Sequence, residues 1–213
     1  MFEEPILNAI ESAGVVPVIV LENPADGVPL AEAYLRGGLR VMEVTFRAAG
    51  AAEAIASIRK ACPEMMVGAG TLITPENVKA AVEAGAKFGV SPGCNPSTLE
   101  AARSHGLSFA PGVMTPSDVE RGIEAGCTVL KYFPAESAGG VKHLKSMSAP
   151  YKHLGLRFIP TGGIDAEKAG SYLALSEVPA VGGSWVAPKD LISAGKWEAI
   201  EELVRTSLAA LKS

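Results

Sequence analysis

The chain has 213 residues, 48% apolar and 20% charged, with a formal net charge of −4 and no basic tract. This is the balance of a globular protein with a substantial core, and it disfavours nucleic-acid binding, which needs a clustered cationic face. An anionic small molecule stays admissible, because a few local donors hold a phosphate without changing the net charge.

The opening run Met1-Phe-Glu-Glu-Pro-Ile-Leu is acidic and lacks an apolar signal core. No stretch approaches the ~20 apolar residues that a membrane span needs. A soluble, cytoplasmic protein without a membrane partner is expected. Residues 3–13 read as an amphipathic helix. From there a unit recurs: an alanine-rich helical stretch, a glycine, then a short β-rich run. Ala81-Val-Glu-Ala-Gly-Ala-Lys-Phe-Gly-Val-Ser-Pro and Gly122-Ile-Glu-Ala-Gly-Cys-Thr-Val-Leu-Lys are two instances. Gly85, Gly106 and Gly126 stand 21 and 20 residues apart, each placed to end a helix in the left-handed conformation. Thr74-Pro, Asn95-Pro and Thr115-Pro each supply a capping residue with proline at the first helical position.

Strands are predicted at residues 15–20, 41–46, 66–70, 88–91, 108–110, 129–133, 158–161 and 180–183. Eight strands alternating with helices over about 200 residues predict a compact (β/α)8 TIM barrel. Residues 196–212 add a C-terminal amphipathic helix. An open doubly wound sheet is the alternative. No linker, charge run or low-complexity stretch divides the chain, so residues 1–213 read as a single domain.

Lys131 stands in Thr128-Val-Leu-Lys131-Tyr-Phe-Pro134, a run otherwise suited to a buried strand. Removing an unpaired ammonium from water is costly, so the amine either pairs with a carboxylate or sheds its proton. A neutral lysine amine attacks carbonyl carbon and forms a Schiff base. In such barrels the working residues lie at the C-terminal strand ends. Those positions hold Glu43-Val-Thr-Phe-Arg47, Thr71, Ser91-Pro-Gly93, Lys131, Thr161-Gly-Gly163 and Gly182-Gly-Ser184. Strand alternation puts Glu43 and Thr45 on one face, and an inward Glu43 would share a lumen with Lys131. Glycines after the seventh and eighth strands suit close backbone approach to a phosphate, with Ser184 adding a hydroxyl.

Each position also has a plainer reading. Glu43 and Lys131 can form a structural ion pair, Arg47 a solvated loop residue, Thr71 a helix cap, and the glycine pairs tight turns. Cys62, Cys94 and Cys127 are irregularly spaced and read as reduced thiols. His105, His143 and His153 fit no metal site, Trp185 and Trp197 read as packing residues, and no cofactor motif appears.

The stretches Val16-Pro-Val-Ile19, Glu43-Val-Thr-Phe-Arg47, Val67-Gly-Ala-Gly-Thr71, Ser91-Pro-Gly93, Lys131-Tyr-Phe-Pro-Ala-Glu136, Gly139-Gly-Val-Lys142, Pro160-Thr-Gly-Gly-Ile164 and Gly182-Gly-Ser-Trp185 run in order along nearly the whole chain. In them the chain resembles the 2-keto-3-deoxy-6-phosphogluconate (KDPG) and 4-hydroxy-2-oxoglutarate aldolases. That resemblance implies a class I aldolase on a (β/α)8 barrel, without metal or cofactor, assembled as a homotrimer and acting on a small 2-keto acid phosphate. It implies Lys131 as Schiff-base nucleophile and Glu43 as general acid and base. Arg47 and Thr71 would hold the pyruvyl carboxylate, with Pro92 and Phe133 lining the pocket. Thr161, Gly162, Gly163 and Ser184 would take the phosphate. Phe46 and Tyr132 stand where the family usually has Leu and Phe. Cys94 and Asn95 also depart from its pattern, at a loop placed to tune substrate preference.

Two other functions use the same residues. A phosphosugar epimerase or isomerase would use Glu43 as base and Lys131 as electrostatic stabiliser. A non-catalytic barrel would bind a phosphate ligand without turnover.

Overall fold

A computed structural model of the chain describes residues 2–211. In chain order its elements are α1 (Glu4–Ala13), β1 (Val15–Ile19), α2 (Gly27–Gly37), β2 (Val41–Thr45), α3 (Ala51–Ala61), β3 (Met66–Gly70), α4 (Pro75–Glu83) and β4 (Phe88–Val90). They continue with α5 (Pro96–Ser104), β5 (Ser108–Ala110), β6 (Gly112–Val113), α6 (Pro116–Glu124), β7 (Val129–Tyr132) and α7 (Gly140–Ser148). The last are β8 (Arg157–Pro160), α8 (Ala166–Leu173), β9 (Val181–Gly183), α9 (Lys189–Ser193) and α10 (Trp197–Ala210). The expected terminal helices correspond to α1 and α10, although Lys212 lies outside the described residues.

The closed eight-stranded TIM barrel expected from the sequence has to be corrected. The ladders form two parallel sheets, one of six strands in the order β5-β4-β3-β2-β1-β9 and one of three in the order β6-β7-β8. Two breaks separate them. Pro111 has no N–H to give to a ladder, and it stands between β5, which matches the predicted fifth strand at 108–110, and the further short strand β6. Ala110 pairs with Val90 on one side, while Gly112 pairs with Lys131 on the other. At the second break the Phe158 N–H is taken by the Glu177 carbonyl at 2.8 Å, so β8 and β9 share only the bridge between Thr161 and Gly182. The strand order is sequential, with the first strand beside the last, so the doubly wound alternative does not describe it either.

Local chemistry explains the helix boundaries. Thr74 accepts from the Asn77 N–H, Asn95 from the Ser97 N–H, and Thr115 forms a reciprocal capping box with Asp118. Gly85, Gly106 and Gly126 adopt φ of 86°, 68° and 79°. After each, two N–H groups fold back onto the last helical turn, as Gly85 does to the Val82 carbonyl and Ala86 to that of Ala81. The strands are buried almost throughout, as parallel strands covered on both faces must be. Phe2 packs its ring 6.2 Å from that of Phe88, and the Glu3 N–H donates to Ser108 Oγ. The N-terminal segment therefore covers the starts of β4 and β5, leaving the opposite strand ends for chemistry. No helix among the described residues is long and apolar enough to cross a membrane.

Candidate active site

β2 and β7 lie in different sheets, and an ion pair bridges them. Lys131 Nζ stands 3.2 Å from Glu43 Oε1 and 3.4 Å from Oε2. Glu43 is 3% exposed and Lys131 6%, so each ion depends on the other to offset its desolvation. Alternation decides the direction: Lys131 turns towards Glu43, while Tyr132 turns the other way, to His143 of α7 at 2.9 Å. The Phe133 ring centroid lies 5.8 Å from Lys131 Nζ, close enough to favour a cation over its face. Thr45, on the Glu43 face, donates to the Ile19 carbonyl at 2.9 Å and ties β2 to β1.

Gly70 is what lets Glu43 lie where it does. A β-carbon there would stand 1.9 Å from Glu43 Oε1. Sequence reasoning gave Gly70 no role, although a glycine inside a strand signals close approach of another group. The next residue, Thr71, has φ of 58°, alone among the described non-glycine residues in being positive. A β-branched residue held there is strained. Thr71 is not a helix cap, since Thr74 caps α4.

A cavity of about 450 Å³ opens at the C-terminal strand ends. Its lining gathers Arg47, Phe133, Thr161, Gly162, Gly163 and Ser184 from the sequence-derived set. It does not include Lys131, Glu43, Thr71 or Pro92. Phe133 joins the two regions, lining the cavity and facing the lysine. Arg47 and Pro92 are exposed and Thr71 is half-buried. Cys94 and Cys127 are half-buried free thiols. Burial pushes the Cys127 thiol up to about 11, with a smaller contribution from Cys94. Among the described residues no group of three or more His, Cys, Asp or Glu is placed to hold a metal ion.

A second network, missed from the sequence, fixes the glycine loop after β8. The Ala135 N–H donates to the Thr161 carbonyl at 2.8 Å and the Glu136 N–H to that of Gly162 at 3.0 Å. Lys168 Nζ donates to the Gly163 carbonyl at 3.3 Å. Glu136 accepts from the Tyr172 hydroxyl at 2.6 Å and pairs with Lys168 at 3.9 Å. Burial, then the Glu136 charge, pushes the Tyr132 phenol up to about 12. Gly162 and Gly163 have φ of 105° and 78°, and a β-carbon on Gly163 would press on Glu136 Cβ at 2.9 Å. The only available signal was Glu136 in the Pro-Ala-Glu run after Lys131.

A family model described as KDPG and KHG aldolase matches residues 6–203. The chain is 43% identical over 203 residues to a 2-dehydro-3-deoxy-phosphogluconate aldolase of Treponema pallidum, covering 95% of this chain and 96% of that one. It is 42% identical over 205 residues to the KHG/KDPG aldolase of Escherichia coli K12, covering 96% and 95%. Among solved structures, a KDPG aldolase of Legionella pneumophila superposes with a TM-score of 0.90 at 37% identity, covering 94% and 97%. That protein was captured with pyruvate as a covalent carbinolamine. The chain belongs to the KDPG and KHG aldolase family.

Proposed function

We propose that the chain is a class I aldolase that reversibly cleaves 2-keto-3-deoxy-6-phosphogluconate to pyruvate and glyceraldehyde 3-phosphate. The observation that carries this reading is a buried lysine 3.2 Å from a buried carboxylate, in a family with a member trapped as a covalent pyruvate adduct. The name of the Escherichia coli relative supports a second reaction, 4-hydroxy-2-oxoglutarate to pyruvate and glyoxylate.

In this mechanism the ammonium of Lys131 passes a proton to Glu43 across their hydrogen bond. The transfer leaves both groups neutral and frees the lone pair of the amine. The free amine adds to the C2 ketone, and Glu43 gives its proton to the departing hydroxide, so that loss of water leaves a protonated imine. That cation withdraws the electrons of the C3–C4 bond as it breaks, leaving an enamine. Glu43, again a carboxylate, takes the proton of the C4 hydroxyl as the aldehyde departs. It returns a proton to C3, and hydrolysis of the imine frees pyruvate and restores Lys131. One carboxylate serves every proton transfer, which requires it to stay close to the reacting atoms.

Arg47 and Thr71 are assigned to the pyruvyl carboxylate, and Pro92 and Phe133 to the pocket wall. Thr161, Gly162, Gly163 and Ser184 are assigned to the phosphate. The loop's own bonding supports that last assignment. The carbonyls of Gly162 and Gly163 point at Glu136 and Lys168, and in a trans peptide the N–H points opposite to its C=O. The Gly163 and Ile164 N–H groups are thus turned away from those partners and can meet an anion in the cavity. Residues 1–213 act as one aldolase domain in the cytoplasm, and the family resemblance favours a homotrimer.

Pyruvate release coupled to a nicotinamide-dependent reductase tests the activity on both substrates. Release from the phosphorylated substrate supports the aldolase. Substrate isomerisation without pyruvate would support the epimerase, and binding without conversion a non-catalytic protein.

A further inference from the structure

The rim of the cavity carries an ion pair that the mechanism does not use. Glu22, in the loop after β1, and Lys189, the first residue of α9, both line the cavity. Lys189 Nζ lies 3.0 Å from Glu22 Oε1. The side chains are 70% and 65% exposed, Lys189 first, so the pair is loosely held and readily exchanged for a better partner. Gly183, Ser184 and Pro188 line the same cavity, so the ammonium and the residues assigned to the phosphate share it.

We propose that Glu22 and Lys189 form an exchangeable pair that sets preference for phosphorylated over unphosphorylated substrates. The inference rests on the aldolase reading above. A phosphate monoester carries a charge of roughly −1.5 to −2 near neutral pH and offers several acceptor oxygens. It therefore competes with the single charge of Glu22 for the Lys189 ammonium. A substrate without phosphate offers Lys189 no dianion to replace Glu22 and leaves the pair closed. Lys189 thus attracts the phosphorylated substrate while Glu22 opposes it, by holding the lysine and by repelling the anion. The two residues act with opposite sign.

The test compares kcat/KM for the phosphorylated and the unphosphorylated substrate in Lys189→Met and Glu22→Gln, with calorimetric titration of inorganic phosphate into each variant. Lys189→Met is expected to lower the preference for the phosphorylated substrate about fivefold, and Glu22→Gln to raise it about threefold. Phosphate affinity should move in the same two directions. Equal preference in both variants and the wild type would overturn the inference, as would changes of the same sign. Failure of the wild type to release pyruvate from either substrate would sink the aldolase reading instead. Phosphate titration still judges the pair in that event, because an affinity unchanged in both variants overturns it.

Discussion

Gly70 and Glu43 occupy one space: the position a β-carbon would take on residue 70 is 1.9 Å from Glu43 Oε1. Gly70→Ala is therefore expected to push the carboxylate off Lys131 while leaving the lysine in place. kcat should fall by about 100-fold, the scale of losing a positioned acid and base. Borohydride should still trap pyruvate on the variant. A variant with full kcat would show that the carboxylate's position is unimportant.

Thr71 holds φ of 58°, a conformation that costs a non-glycine residue roughly 1–2 kcal/mol. Glycine removes that strain and adds back roughly 0.5–1 kcal/mol of backbone entropy. Thr71→Gly should gain up to about 1 kcal/mol in denaturant unfolding and raise KM for pyruvate in the condensation direction. Lower stability would contradict the strain assignment. Unchanged KM would remove Thr71 from the carboxylate site.

Arg47→Lys keeps the charge but loses the planar fork that grips a carboxylate through two parallel bonds. Its KM for pyruvate in condensation should rise about tenfold with kcat little changed. An unaltered KM would return Arg47 to the role of a solvated loop residue.

Burial pushes the Asp118 carboxyl up, but hydrogen bonds from the Thr115 hydroxyl and the Met114 and Thr115 N–H groups, with the Arg121 charge, outweigh it. The group titrates below the ordinary carboxylate value in the folded chain. Its contribution to stability is therefore present above that ordinary value and is lost as the pH falls through the depressed one. Asp118→Asn should cost about 1 kcal/mol at neutral pH, with a smaller gap from wild type at a pH below the ordinary carboxylate value. Urea midpoints at the two pH values measure it, and a pH-independent gap would contradict the assignment.

Much of the local structure was legible because it depends on neighbouring residues. Thr74, Asn95 and Thr115 with their following prolines marked helix starts, and Gly85, Gly106 and Gly126 marked helix ends. Lys131 stood out as a charge in an apolar strand, and strand alternation grouped Glu43 with Thr45 on a face that, if inward, would share a lumen with it. Closure of the sheet was not legible. It turns on which neighbour takes each N–H, and nothing local says that the chain past Pro111 pairs anew with β7 or that Glu177 takes the Phe158 N–H. The same limit hid Lys168 and Tyr172, which reach the glycine loop only through the tertiary fold. Glu136 was visible in a motif but had no partner there to give it a role.

The central claim is that Lys131 carries the substrate. The most direct measurement is reduction of the protein with borohydride in the presence of pyruvate, followed by peptide mass spectrometry. One pyruvyl adduct per chain is expected on the peptide containing Lys131, with none in Lys131→Arg. An adduct on another lysine, or no adduct in a protein that still releases pyruvate, would contradict the account.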